Sequence, residues 1–309
     1  MIYTLTLNPA VDLELVVDDF EYDSVSRAVD SRMDYGGKGF NVSRMLSNLK
    51  TTSVAMGFVG GKSGERLDQG LRSLGISTDF NWIEGETRTN VSIVKAGSSQ
   101  HLKVNEPGPD ISSEEVDALT DKVRENAKQG DWWVLAGSLP PGVHETLYAE
   151  LINIIKGSGA DVLLDTSSEA LRIGCGANPT IIKPNMEEAR ELTALVCGKD
   201  ASDEDVAQAL LAMGPENIII SMGKDGALLA SQNRVEMVNT PEVKERNPIG
   251  AGDSMVGGIV WGLDRGLTLN ESLKCGIACG AATATQSGTT LGSREMVMDY
   301  LAQMESVQI

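Results

Sequence analysis

Asn247-Pro-Ile-Gly-Ala-Gly-Asp-Ser-Met255 holds the residue types that can move a phosphoryl group. Gly250 and Gly252 flank Ala251, and Asp253 follows directly. The small, apolar run that follows, to Leu263, suits a buried helix. A glycine turn that opens a helix points free backbone N–H groups at one spot, on the positive end of the helix dipole. Phosphate binds well at such a place. An aspartate at its lip is positioned to take a proton from an attacking hydroxyl, and phosphoryl transfer needs both parts. The same letters also spell a simple Asp cap after a glycine loop. The rest of the chain has to decide between them.

Other stretches offer matching chemistry. Gly36-Gly37-Lys38-Gly39-Phe40-Asn41 is a second glycine turn feeding a helix. Its glycines let a ligand approach closely, while Lys38 and Asn41 supply a charge and an amide. It lacks the spacing and the Lys-Ser/Thr ending of a Walker A loop. A flexible loop with a solvated lysine is the alternative. Asp12 lies just past a strand end, where ligands sit in α/β sheets, although turn aspartates sit there too. Arg88 begins a strand and can fork onto a phosphate, or else simply face solvent. Ser138 follows a strand and precedes the rigid Pro140-Pro141 pair. Lys183, Asn185 and Glu188 cluster where another strand meets a helix. Asn185 and Glu188, three apart on one helix face, suit Mg²⁺ directly or through water. They also spell a capping box, and both readings can hold together. Ser221, Gly223 and Gly226 mark a tight turn that either passes over a nucleotide or links two strands.

The elements around these residues follow one rhythm. Strands near 2–7, 52–58, 132–136, 161–165, 180–183 and 217–221 alternate along the chain with helical stretches, among them 63–74, 112–129, 145–156, 185–196 and 203–213. That alternation predicts a mainly parallel sheet with helices on both faces. Segments 12–17, 31–35, 78–82, 88–95 and 100–105 alternate without helices of that kind, and the last three read as antiparallel strands. Together they predict a small sheet standing off the main body. Glu271–Thr285 is small and apolar, a helix for packing against a flat partner or ligand.

The chain has 309 residues, enough for one large α/β domain with an insertion. A net charge of −18 argues against nucleic acid and anionic membranes as partners. It also means that an anionic substrate requires cations concentrated in one place. Cys175, Cys197, Cys275 and Cys279 form no CxxC pair, and only His101 and His144 could join them, which argues against a zinc site. The first residues lack a basic leader, and no apolar run spans a bilayer, so the expected compartment is the cytoplasm.

Taken in order, Thr-Leu-Asn-Pro-Ala-Val-Asp12, Gly-Gly-Lys-Gly-Phe-Asn-Val42, Thr-Arg-Thr-Asn90, Gly-Ser-Leu-Pro-Pro-Gly142, Lys-Pro-Asn-Met-Glu-Glu188 and Gly-Ala-Gly-Asp-Ser254 resemble the phosphofructokinase B branch of the ribokinase-like superfamily. Each motif alone is weak, but six in order over the whole chain are specific. The resemblance implies a single three-layer αβα domain over 1–309, with a mainly parallel sheet and a small β-sheet lid that often forms a homodimer interface. It implies ATP- and Mg²⁺-dependent phosphorylation of a sugar hydroxyl. Carried over by position, Asp253 is the base and Gly250, Ala251 and Gly252 form the anion hole. Asp12, Gly37, Lys38, Gly39 and Asn41 contact the sugar, and Arg88 and Ser138 lie near its phosphate. Lys183, Asn185, Glu188, Ser221, Gly223 and Gly226 serve the nucleotide and metal. Lys38 is similar to the residue in kinases of sugar phosphates, and Gly-Ala-Gly-Asp-Ser-Met-Val-Gly-Gly258 looks most like 1-phosphofructokinases. The expected acceptor is fructose 1-phosphate, with tagatose 6-phosphate or fructose 6-phosphate as alternatives. A non-catalytic sugar-phosphate-binding regulator is the distant one.

Overall fold

The computed structural model describes residues 1–19, 23–98, 100–198, 200–232 and 234–306. Ile2–Thr6 runs through the middle of a ten-stranded sheet. It pairs in parallel with Val54–Val59 on one side and Trp132–Ala136 on the other. Asp161–Asp165, Ile181–Ile182 and Asn217–Ser221 extend the parallel series. Ala227–Ser231 and Arg234–Val238 close that edge as antiparallel strands.

Side chains of a strand alternate between the two faces, and both faces here are buried. Trp133, Leu135, Val162, Leu164, Ile218 and Ile220 enter one core cluster. Val134, Ala136, Leu163, Ile181 and Ile219 enter the other. Helices Ser113–Asn126 and Leu147–Gly157 cover the first face through Leu119, Val123, Leu151 and Ile155. Helices Lys38–Asn48, Ala251–Leu263 and Leu269–Ala284 cover the second through Met45, Val256, Ile259 and Ile277. This is the three-layer αβα arrangement that the alternation of strands and helices predicts. The last two helices touch closely: a methyl on Gly258 would lie 2.6 Å from the Cys275 carbonyl oxygen. Their small residues set the packing distance and so place the turn at 250. No helix of the described residues is long and apolar enough to cross a membrane.

A second sheet has the order Ala28–Gly36, Ala10–Val17, Arg88–Lys95, His101–Val104. It differs from the expectation in two respects. Ala10–Val17 and Arg88–Lys95 pair in parallel, because the chain between them crosses through two helices and three main-sheet strands before returning. The segment expected as a strand at 78–82 does not join this sheet. It splits into Ser77–Thr78 and Asn81–Trp82, which both pair in parallel with Val54–Val59. Phe80 explains the change: it is buried between them and packs on Phe40 with ring centroids 5.4 Å apart. Burial of one aromatic ring outweighs the local strand pattern.

Candidate active site

The parallel strands end on one edge of the sheet, and the residues after Thr6, Ala136, Asp165, Ile182 and Ser221 line that edge. The turn at 250 faces it. Gly250 takes a left-handed conformation, φ 78°, which a glycine adopts without strain, and starts the helix Ala251–Leu263 with no side-chain cap. The Ala251 N–H donates to the Pro248 carbonyl at 3.1 Å, while the N–H groups of Gly252 and Asp253 have no acceptor among the described residues. These two donors therefore face the cleft from the positive end of a helix.

Asp253, in the first turn, accepts a hydrogen bond from Asn41 Nδ2 at 2.8 Å. Its pKa is pushed up to about 6, first by burial and then by the charge of Asp165. The Asn41 hydrogen bond, Lys38 and Lys183 pull the other way. Asp165 ends the strand Asp161–Asp165 and is almost fully buried. It receives Lys38 Nζ at 3.1 Å on Oδ1 and Lys183 Nζ at 3.4 Å on Oδ2. Burial alone would raise its pKa, but Lys183 and Lys38 outweigh that and hold it below the usual carboxylate range. Lys38 loses charge stability to burial, yet Asp165 and Asp253 more than compensate and raise its pKa. Two lysines and two aspartates thus meet beneath the glycine turn.

On the small-sheet side, Asp12 Oδ1 accepts from Asn90 Nδ2 at 2.8 Å. Asp12, Asp34, Asn41, Arg44, Gly250 and Thr289 line a small recess. Arg88 is tied to the backbone: its Nη1 donates to the Glu106 carbonyl at 2.8 Å and its Nη2 to the Asn8 carbonyl at 2.8 Å. Lys38 and Arg88 share no hydrogen-bond partner among the described residues. The reason is that the Lys38 helix points its first residue at Asp165, whereas Arg88 closes the loop at Asn8. Ser138 lines a separate open depression with Pro107, Thr166 and Ser167.

On the other side of the turn, a cavity of about 460 Å³ is lined by Asn185, Ser221, Gly223, Gly226, Ala251 and Gly252. Met255, Ile277, Ala281 and Ala284 give it an apolar wall, and this is the face of the small-residue helix expected to meet a flat partner. Asn185 Oδ1 accepts from the Glu188 N–H and Glu188 Oε2 from the Asn185 N–H, both at 2.8 Å. The capping box is therefore present. It leaves Glu188 Oε1 with no hydrogen-bond partner among the described residues, and Glu188 lies close enough to raise the Lys38 pKa. One open carboxylate oxygen, on the residue that caps with the cavity-lining Asn185, fits Mg²⁺, which is held by few carboxylates and by substrate phosphates. Asp165, Arg44, Asp34 and Asn90 were not among the candidates read from sequence. For Asp165 a signal existed: it ends a parallel strand lying between two strands whose ends were already chosen.

The fold is the ribokinase-like α/β fold. The family model for pfkB family carbohydrate kinases matches residues 5–296, and the chain belongs to that family. It is 38% identical to a 1-phosphofructokinase of Borreliella burgdorferi over 92% of both chains. It is 33% identical to a tagatose-6-phosphate kinase of Staphylococcus epidermidis over 100% of both. Its structure matches Escherichia coli phosphofructokinase-2 in complex with potassium with a TM-score of 0.92 at 29% identity, covering 98% of this chain and 99% of that one.

Proposed function

We propose that the protein transfers the γ-phosphoryl group of ATP to a hexose phosphate, with fructose 1-phosphate as the preferred acceptor. One observation carries the reading: the 250–253 turn is the shared wall of two pockets. Gly250 lines the recess of Asp12 and Asn41, and Ala251 and Gly252 line the larger cavity of Asn185 and Ser221. A donor in one pocket and an acceptor in the other meet at Asp253 and the free N–H groups. Fructose 1-phosphate is favoured by the likeness of the 250–258 motif to 1-phosphofructokinases and by the 38% identical relative.

In this mechanism Asp253 accepts the proton of the attacking hydroxyl. With a pKa of about 6 it is ionised at neutral pH yet more basic than an ordinary aspartate. The alkoxide oxygen attacks the γ-phosphorus and ADP leaves. The N–H groups of Gly252 and Asp253, with Lys183 and Lys38, stabilise the charge on the transferring group. Asp12 and Asn41 hold sugar hydroxyls, and Arg88 and Ser138 the acceptor's own phosphate. Ser221, Gly223 and Gly226 flank the nucleotide. Glu188, oriented by Asn185, would hold Mg²⁺, which supplies charge neutralisation on the ATP phosphates. The small sheet acts as a lid, and its exposed Val29, Met33, Leu102 and Val104 support dimerisation through it.

The test is ADP release with Mg-ATP and a panel of fructose 1-phosphate, tagatose 6-phosphate, fructose 6-phosphate and free fructose. The highest kcat/KM is expected for fructose 1-phosphate. Preference for another sugar phosphate would change the acceptor and keep the mechanism; turnover of free sugars alone would overturn the phosphate-acceptor reading.

A further inference from the structure

Asn41 is an amide between two charged groups, and its orientation decides what it does. Its Nδ2 donates to Asp253 Oδ2 at 2.8 Å, and its Oδ1 accepts from Arg44 Nη1 at 3.1 Å. A guanidinium only donates and a carboxylate only accepts. One orientation of the amide satisfies both neighbours; the flipped one sets oxygen against carboxylate and NH₂ against guanidinium. We infer that Arg44 is a positioning residue for the base: it locks the Asn41 amide so that an N–H always faces Asp253.

Arg44 is itself fixed from the small sheet and a distant loop. Its Nη2 lies 3.1 Å from Asp34 Oδ1 and 3.4 Å from the Thr289 carbonyl oxygen. Asp34 in turn receives Arg32 Nη2 at 3.3 Å and the Thr289 hydroxyl. The Arg44 and Asp34 side chains are only 14% and 11% exposed, so water competes poorly for these bonds. The charged groups that face Asp253 are Asp165, Lys38 and Lys183. None of them touches Arg44 within hydrogen-bond distance, so the Arg44 effect runs through Asn41.

The inference rests on Asp253 being the base, and the experiment separates the two. The kcat/KM for the acceptor is measured from pH 5 to 9 for wild type, Arg44→Met, Asn41→Ala and the double variant. Loss of a hydrogen bond to the ionised carboxylate raises its pKa. A base works deprotonated, so the acid limb moves up, by about one pH unit for a charge-assisted bond. Arg44→Met is then about five-fold slower than its own high-pH plateau ratio predicts at pH 6, and close to that ratio at pH 8. Asn41→Ala shifts the limb at least as far, and adding Arg44→Met to it shifts it no further. A limb that stays put in Arg44→Met, or shifts that add, overturns the inference. Should loss of the Arg44–Asp34 pair prevent folding, Arg44→Met with Asp34→Asn removes the partly uncompensated charge and gives the same readout. An Asp253→Asn protein with near-normal turnover would instead sink the base assignment itself.

Discussion

Replacing Asp165 by asparagine changes two quantities in opposite senses. Asp165 is 3% exposed and Lys183 6% exposed, 3.4 Å apart, so the substitution leaves a buried ammonium without its counter-charge. Breaking such a pair costs about 3–5 kcal/mol. The Lys38 pair, at 3.1 Å but with Lys38 41% exposed, adds only about 0–1 kcal/mol. At about 2 °C per kcal/mol for a chain of this size, the Lys183 pair alone should lower Tm by about 6–10 °C at pH 7. The pKa of Asp165 is depressed in the fold. Its stabilisation is therefore fully present above the unfolded value of about 3.9 and is lost as pH falls through the folded value. The Tm gap should be full at pH 7 and close progressively below about pH 4. Meanwhile Asp165 is, after burial, the cause that raises Asp253. The Asp165→Asn protein should be slower at every pH, yet its acid limb should lie below the wild-type limb near 6. Calorimetry across pH and a kcat/KM profile read both. Equal Tm at pH 7 together with an unmoved limb would refute the reasoning.

Asp253→Asn should lower kcat by a factor on the order of 10²–10⁴ in steady-state assays, with Tm held or raised because a buried charge is gone. Gly252→Ala adds a methyl 3.8 Å from Lys183 Nζ, with no other contact within 4 Å. The fold should tolerate it within about 0.5 kcal/mol, while kcat/KM for ATP falls at least about ten-fold, because the methyl points where the phosphoryl group has to sit. Unchanged kinetics would place the anion hole elsewhere. Arg88→Ala frees the Asn8 and Glu106 carbonyls. It should raise KM for the sugar phosphate about ten-fold or more and leave KM for ATP within about two-fold, as loss of a phosphate fork predicts; equal rises in both would assign Arg88 to loop structure alone.

What the sequence made legible, and what it hid, follows from distance along the chain. The glycine turns, the strand ends at Ser138 and Lys183 and the Asn185–Glu188 box announce themselves within a few residues, because turn and cap geometry is local. The αβα layering was likewise legible, since the alternation of strands and helices is a repeated local signal. Asp165 is legible only as a strand end; its meaning lies in Lys38, 127 residues away, and nothing in Leu-Leu-Asp-Thr announces a lysine partner. Arg44 reads as one more charged residue on an amphipathic helix until Asp34 and Thr289 arrive beside it, the two of them 255 residues apart in sequence. Thr78–Trp82 was misplaced for the same reason: its strand pattern is local, but the pocket that takes Phe80 is built by Phe40.

The lysine–aspartate quartet also answers how a chain of net charge −18 can handle anions. Lys38 and Lys183 bring two positive charges, and Asp165 and an ionised Asp253 bring two negative ones, so the cluster is close to neutral. In the proposed mechanism, when Asp253 takes the hydroxyl proton, the cluster becomes positive by one unit, at the step in which the transferring phosphoryl group would most need it. Asp165 matters to both ends of this argument. It keeps Lys38 charged and holds both lysines in place before substrate arrives. It also raises Asp253 above an ordinary aspartate and so makes it the stronger base. A neutral residue at 165 would leave a weaker base, whereas removing the lysines would leave only the Asn41 hydrogen bond against burial and Asp165 and push Asp253 toward protonation at neutral pH. The value near 6 is the balance of burial and Asp165 on one side against Asn41, Lys38 and Lys183 on the other.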